Sequence, residues 1–328
     1  MDHNKNSQNI LPLCTLQKFT GERALQQQRR FNHDIQKKVR QTVRASEQDR
    51  LQEHASTLQV QGTFLALAAK EKEDILWKST MFDLKAGTLK FLLNACIDTL
   101  PTPVNLMRWK KSPSDLCKLC RSRGTTNHIL NGCKVGLESG KYLWRHNNVV
   151  NYIATNVNTE KYTVYSDIPG MEAPGGGTLP PNICITNLKP DIVIVDEASK
   201  EVHIYELTCP SGPANIEKRH LEKTQKYSTF LTDCTGYNSS VVCFEVSSKG
   251  FLTTRNHTHL NSLHKFLKPS IKRSAFKENV SALTVYGSYQ IWLSRAEAVF
   301  VVPPFLVPHT RGQKGGARQG QGTRGAGQ

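Results

Sequence analysis

Two acids frame the stretch "KPDIVIVDEASKEVHIYELTCP", residues 189–210. Asp191 follows a proline and opens a short apolar run. Glu206 closes a second run, and the turn "EASK" lies between them. Paired antiparallel through that turn, the runs bring Asp191 beside Glu206 at one end of a sheet. Two carboxylates so placed are hard oxygen ligands, suited to Mg²⁺ with positions left for water and a phosphate. Such an ion polarises the phosphate and lowers the pKa of an attacking water. This is the outline of a metal-dependent nuclease core, in which a lysine is expected two residues after the second acid. Here Leu207 and Thr208 follow Glu206.

The next helix supplies a candidate. In "NIEKRHLEKTQKYSTFL" successive residues turn by about 100°. Ile216, His220, Lys223, Thr224, Tyr227, Phe230 and Leu231 then share one face. Lys223 sits in the middle of it, and a lysine aimed at a core needs a carboxylate or phosphate partner. Asp191 and Glu206 are the available carboxylates. The lysine is therefore expected on the helix, reaching the same site from another element. Tyr227 points the same way, to orient the lysine or touch a nucleic-acid backbone. The alternative is that Lys223 runs outward along Tyr227.

A second set lies upstream. "CKLCRSRGTTNHILNGC" presents Cys117, Cys120, His128 and Cys133. Three thiolates and one imidazole make a closed tetrahedral zinc set of the structural kind, with no open position for catalysis. The alternative is scattered thiols beside a surface histidine. Nine cysteines in a chain without a secretory signal read as free thiols or metal ligands before disulfides.

These residues need elements to hold them. Residues 16–70 are rich in Gln, Arg, Lys and Glu and read as long polar helices. Residues 72–98 have the spacing of packed helices, and "LPTPVNLMRWKK" reads as a proline-bounded connector. "KYLWRHNNVVNYIATNV" is expected to be a helix and "GMEAPGGGTLPPN" a loop. Strands are expected at "DIVIVD", "EVHIYEL" and "SSVVCFEVSS". Helix is expected from about 213 to 230 and over 256–298. The tail from 309 is Gly- and Gln-rich with no acid, and is expected to be disordered. The formal net charge of +16 favours a polyanionic partner, most simply nucleic acid. No run is long and apolar enough for a membrane helix.

In order and spacing these motifs resemble the C-terminal part of non-LTR retrotransposon proteins that carry a restriction-like endonuclease, the group that includes site-specific elements of ribosomal DNA. The match covers most of residues 75–245. It runs through "LNACIDTLPTPVNLMRWKK", the Cys-Cys-His-Cys unit, "WRHNNVV", "KPD", Glu206 and "KTQKY". The resemblance places the family's Arg-His pair on Arg145 and His146, which could contact a phosphate or simply flank the knuckle. It places the family's displaced lysine and tyrosine on Lys223 and Tyr227. The implied activity is Mg²⁺-dependent hydrolysis of DNA, with Zn²⁺ in the knuckle and RNA of the parent element as a further partner. The alternative is an inactive nucleic-acid-binding remnant. Action on DNA implies the nucleus, after cytoplasmic synthesis. Such elements place a reverse transcriptase upstream, and no Asp-Asp pair occurs in this chain. No polymerase site is expected, and the chain reads as a truncated piece.

The expected architecture is α+β. A basic helical region and connector (1–115) lead to the zinc knuckle (116–135). A restriction-endonuclease-like core of mixed sheet flanked by helices (136–308) and the tail (309–328) follow.

Overall fold

The computed structural model describes residues 21–58, 81, 83–211 and 213–306. The expected disordered tail and residues 59–80 lie outside them. The chain divides into two compact units, Met1–Leu58 and Gln59–Gln328. In the first, helix α1 (Gly21–Thr57) runs for 37 residues. The run has no proline, and its Gln, Arg, Lys and Glu are good helix formers.

The second unit holds both the cysteine cluster and a sheet. Helix α2 (Ala86–Cys96) comes first. Helix α3 (Pro103–Arg108) follows, where a plain connector is expected from sequence. The residues that suggested a connector are in fact a helix start: Thr102 caps by accepting the Asn105 amide, and Pro103 stands in the first turn, where no amide donor is needed. A single π-helical turn (His128–Gly132), helix α4 (Lys134–Glu138) and helix α5 (Lys141–Thr155) lead to the sheet.

The sheet has four strands in the order β1 (Thr163–Ser166), β2 (Ile192–Asp196), β3 (Glu201–Thr208), β4 (Asn238–Glu245). The first two pairings are antiparallel and β3–β4 is parallel, so the sheet is mixed as expected. Parallel pairing requires a crossover, which is helix α6 (Pro213–Tyr227) with the short helix α7 (Phe230–Asp233). Strand β1 has no sequence counterpart in the expectations. "TVYS" is too short to show alternation, and its burial comes from neighbours distant in sequence.

Both faces of the sheet are covered. Ile192, Ile194, Tyr205 and Leu207 pack into one core with α5 and the last two helices, α8 (Thr254–His264) and α9 (Arg273–Leu293). Val193, Val195, Val202 and Ile204 pack into a second core with Tyr227 and Phe230. That explains why β2 is apolar without alternation. The expected helix over 256–298 is these two, α8 and α9, broken near "KPSIK". The expected face of α6 holds at Ile216 and Tyr227, both buried. It fails at Thr224, which is exposed, and at Leu231, 54% exposed, where α6 has ended at Tyr227 and the chain turns before α7.

Helices α5 and α9 approach closely at Gly287. A methyl group there would lie 2.5 Å from Arg145 Cγ and 3.0 Å from its Cβ. Those atoms sit at the root of the side chain and cannot swing aside. Gly287→Ala should destabilise the protein by about 1–3 kcal/mol, the usual cost of overpacking, as read by denaturant titration. Residues 294–306 strap back along α5. Lys141 Nζ donates to the Ser294 and Glu297 carbonyls, Trp144 Nε1 to the Pro303 carbonyl, and the Leu306 amide to Asn148 Oδ1.

Candidate functional site

The hairpin register settles where the acids stand. Ile192 pairs with Tyr205, so Asp191, one residue before β2, stands opposite Glu206. The Asp191 amide donates to Glu206 Oε2 at 3.1 Å, and the Leu207 amide donates to Asp191 Oδ2 at 2.6 Å. The Asp191 carbonyl accepts from Ser166 Oγ at 2.6 Å, fixing the entry to β2 from the β1 side. Glu206 is only 1% exposed. Burial, and then the Asp191 charge, push its carboxyl above the usual carboxylate range, against the pull of Lys223.

Lys223 brings an ammonium to this site. Its Nζ pairs with Glu206 Oε1, with its side chain 30% exposed. The helix brings Lys223 to the carboxylates rather than outward. Tyr227 is 1% exposed, and its hydroxyl donates to the Lys189 carbonyl at 3.2 Å, two residues before Asp191. Lys223 Nζ lies 5.5 Å from the centre of its ring and Lys226 Nζ 4.7 Å. Tyr227 thus braces the lysines and the Lys-Pro-Asp backbone from within the core.

The Arg-His pair separates into two tasks. His146 Nε2 is 3.1 Å from Asp191 Oδ2, and its Nδ1 is 3.0 Å from Asn147 Oδ1. Burial pushes the imidazole down, but the Asp191 carboxylate overrides it and lifts it to about 9. Arg145 is 2% exposed, and its guanidinium is spent on protein carbonyls and hydroxyls, so it offers nothing to a phosphate. The resemblance left open a phosphate contact or a flank of the knuckle, and the bonds to Leu130 and Asn131 put Arg145 against the knuckle turn. Sequence could not show that α9 has a glycine where Arg145 packs.

The remaining buried acid was not singled out in the sequence. Glu245 closes β4, 1% exposed, with His220 Nδ1 at 2.9 Å and Arg255 at 3.5 Å. His220 and Lys223, one turn apart on α6, therefore each reach a buried glutamate, on adjacent strands. The signal was an acid inside the apolar run "VVCFEV", which demands a partner.

Cys117, Cys120, His128 and Cys133 come together, with all four ligand atoms within 4.8 Å of one another. Cys117 Sγ lies 4.0 Å from Cys133 Sγ, and Cys120 Sγ lies 3.2 Å from His128 Nε2. A tetrahedral zinc with bonds of about 2.3 Å to sulfur sets sulfurs about 3.8 Å apart, so this donor set fits a metal such as zinc. The turn of Cys117–Cys120 closes with Arg121 at φ 62° and the Cys117 amide on the Ser122 carbonyl. The last two ligands sit at the ends of the π-helical turn, whose wider loop suits their five-residue separation. Tyr142 plugs that turn: its hydroxyl donates to the Ile129 carbonyl and accepts the Cys133 amide, both at 2.9 Å. Burial pushes the Cys120 thiol up, but hydrogen bonds from Ser122 and the other thiols bring it down to about 7. Burial holds Cys133 up at about 11.

Among the described residues no helix is long and apolar enough to cross a membrane. In comparison with known proteins, no family model matches the chain and no curated protein matches its sequence significantly.

Proposed function

We propose that this chain is a metal-dependent DNA endonuclease of the restriction-like type, akin to the C-terminal part of non-LTR retrotransposon proteins. In this reading Asp191 and Glu206 hold Mg²⁺ and the Cys3His cluster holds a structural Zn²⁺. The observation that carries it is the convergence of three groups from three positions: Asp191 opposite Glu206 across the hairpin, with Lys223 brought onto Glu206 by the crossover helix. An ordinary hairpin has no reason to bury a glutamate and then send it a lysine.

A divalent ion between the carboxylates would act as a Lewis acid on a phosphodiester and acidify an attacking water. The chain's own groups do the rest. His146 and the Leu207 amide both converge on Asp191 Oδ2, which fixes the carboxylate and leaves Oδ1 as the oxygen available to a cation. Lys223 is anchored at one end of the site and can shift from Glu206 to steady charge developing on a phosphate. Tyr227 holds the Lys223 stem and the backbone leading to Asp191. The chain's +16 charge supplies the attraction for the DNA backbone.

The test is nicking of supercoiled plasmid by the purified chain. Nicking should require Mg²⁺. Binding should weaken by about 10³-fold between 50 and 200 mM salt if about six phosphates are contacted. Salt-sensitive binding without nicking would make the chain an inactive binding remnant. A flat salt dependence would remove DNA from the account altogether.

A further inference from the structure

Arg145 has the wrong surroundings for a DNA contact and the right ones for a mechanical link. Its Nη1 donates to the Leu130 carbonyl at 2.9 Å and to Ser288 Oγ at 3.0 Å. Its Nη2 donates to Asn131 Oδ1 at 2.9 Å and to the Cys209 carbonyl at 3.3 Å. Leu130 and Asn131 lie inside the turn between the ligands His128 and Cys133. Cys209 lies just beyond β3, two residues after Leu207, whose amide holds Asp191. The residue after Arg145 on the same helix is His146, which meets Asp191 from the other side. One buried guanidinium therefore spans the metal-binding turn and the carboxylate hairpin.

A second thread runs in parallel. Asn131 Nδ2 donates to Ser248 Oγ at 3.2 Å, and the Ser248 amide donates to the Pro210 carbonyl at 2.7 Å. Both threads leave the cluster at Asn131 and arrive next to one another, at Cys209 and Pro210.

We propose that Arg145 is a positioning residue that couples the Cys3His cluster to the Asp191–Glu206 site, so that metal in the cluster tightens the distant carboxylates. The inference rests on the reading of the cluster as a zinc site. Among the described residues Arg145 pairs with no carboxylate, and its Nε has no hydrogen-bond partner. The buried charge is met by neutral acceptors and by the Tyr142 ring, 5.8 Å from its central carbon, and losing the acceptors leaves it poorly compensated. When the cluster is empty its turn keeps the Tyr142 hydrogen bonds but loses the metal that ties His128 and Cys133 together. Any drift of Leu130 and Asn131 strips two of the four bonds, and the guanidinium must follow them or pull on Cys209. Gly287 lets α9 press against the root of Arg145, so the side chain has little freedom to absorb the change.

Hydrogen exchange at the Leu207 and Asp191 amides tests this, because both report the hairpin and neither needs cleavage. Zinc is measured in the full chain by metal analysis, then withdrawn by chelation. In the zinc-loaded wild type both amides should be protected, and withdrawal should speed their exchange by about tenfold, within the usual range of site-to-site coupling. In Arg145→Lys, which keeps the charge but loses the fork, exchange should already be fast and insensitive to zinc. If that variant fails to fold, Asn131→Ala removes one acceptor and should show a smaller zinc effect than wild type. A full equivalent of zinc whose removal leaves Leu207 and Asp191 unchanged would overturn the coupling alone. Less than about a tenth of an equivalent in the wild type would overturn the zinc reading and the coupling with it.

Discussion

Asp191→Asn should reduce plasmid nicking by about 10³-fold or more while the protein stays folded and still binds DNA. The amide side chain can still accept the Leu207 amide, so the local backbone keeps its anchor. What is lost is charge. In the proposed site the divalent ion would lose one of its two hard anionic ligands, and a catalytic charge-stabilising partner is worth about 10²- to 10³-fold by itself. A second consequence follows from His146. Burial pushes that imidazole down, and the Asp191 carboxylate lifts it to about 9, above its ordinary 6.5. A group whose folded pKa is raised adds stability that is fully present below its unfolded pKa and lost as pH rises through the folded value. The stability gap between wild type and Asp191→Asn, measured by denaturant titration without Mg²⁺, should therefore be widest below about pH 6.5. It should close towards pH 9. A gap that widens over that interval would show that His146 does not carry its proton on Asp191.

Lys223→Ala should lower nicking by about 10²- to 10³-fold, whereas Lys226→Ala should change it little. The two lysines are three residues apart, and the structure gives them different partners: Glu206 for Lys223, the Tyr227 hydroxyl at 3.2 Å for Lys226. The alanine at 223 also removes the ammonium whose charge and hydrogen bond lower the Glu206 carboxyl. Burial and the Asp191 charge then raise it against the Asp191 amide alone. If cleavage needs Glu206 ionised, the acidic limb of the pH–rate profile should move to higher pH. An inactive Lys226→Ala beside an active Lys223→Ala would reverse the assignment of the lysine.

The opposed acids were legible because a hairpin with a short turn fixes its own register. Asp196 and Glu201 end the two runs, and alternation then sets Asp191 against Glu206. The lysine was legible because a helix has one period, and an apolar face with a cation on it states its own contradiction. The Cys3His cluster was legible from spacing, although the π-helical form of the turn between His128 and Cys133 was not. What escaped depended on contacts remote in sequence. Strand β1 is four residues long and acquires its burial from β2. The fate of Arg145 depended on Gly287 and Ser288, more than a hundred positions away. Helix α3 is hidden for a different reason: in sequence Pro103 reads as a boundary, yet it marks the first turn of a helix.

The site's parts are joined by connections of very unequal reach. The hairpin from Asp196 to Glu201 closes through a single tight turn, whereas β4 can pair with β3 only after the whole crossover from Thr208 to Asn238 has been traversed. Loop closure makes the first cheap and the second slow. In a folding chain the two carboxylates can face one another before the crossover helix has docked, as unneutralised like charges in a half-built sheet. Lys223 rides on that crossover, so its arrival on Glu206 and the parallel pairing of β4 belong to the same late event. On the proposed reading, a divalent cation present during refolding would relieve the repulsion earlier and so speed the assembly of the site that holds it.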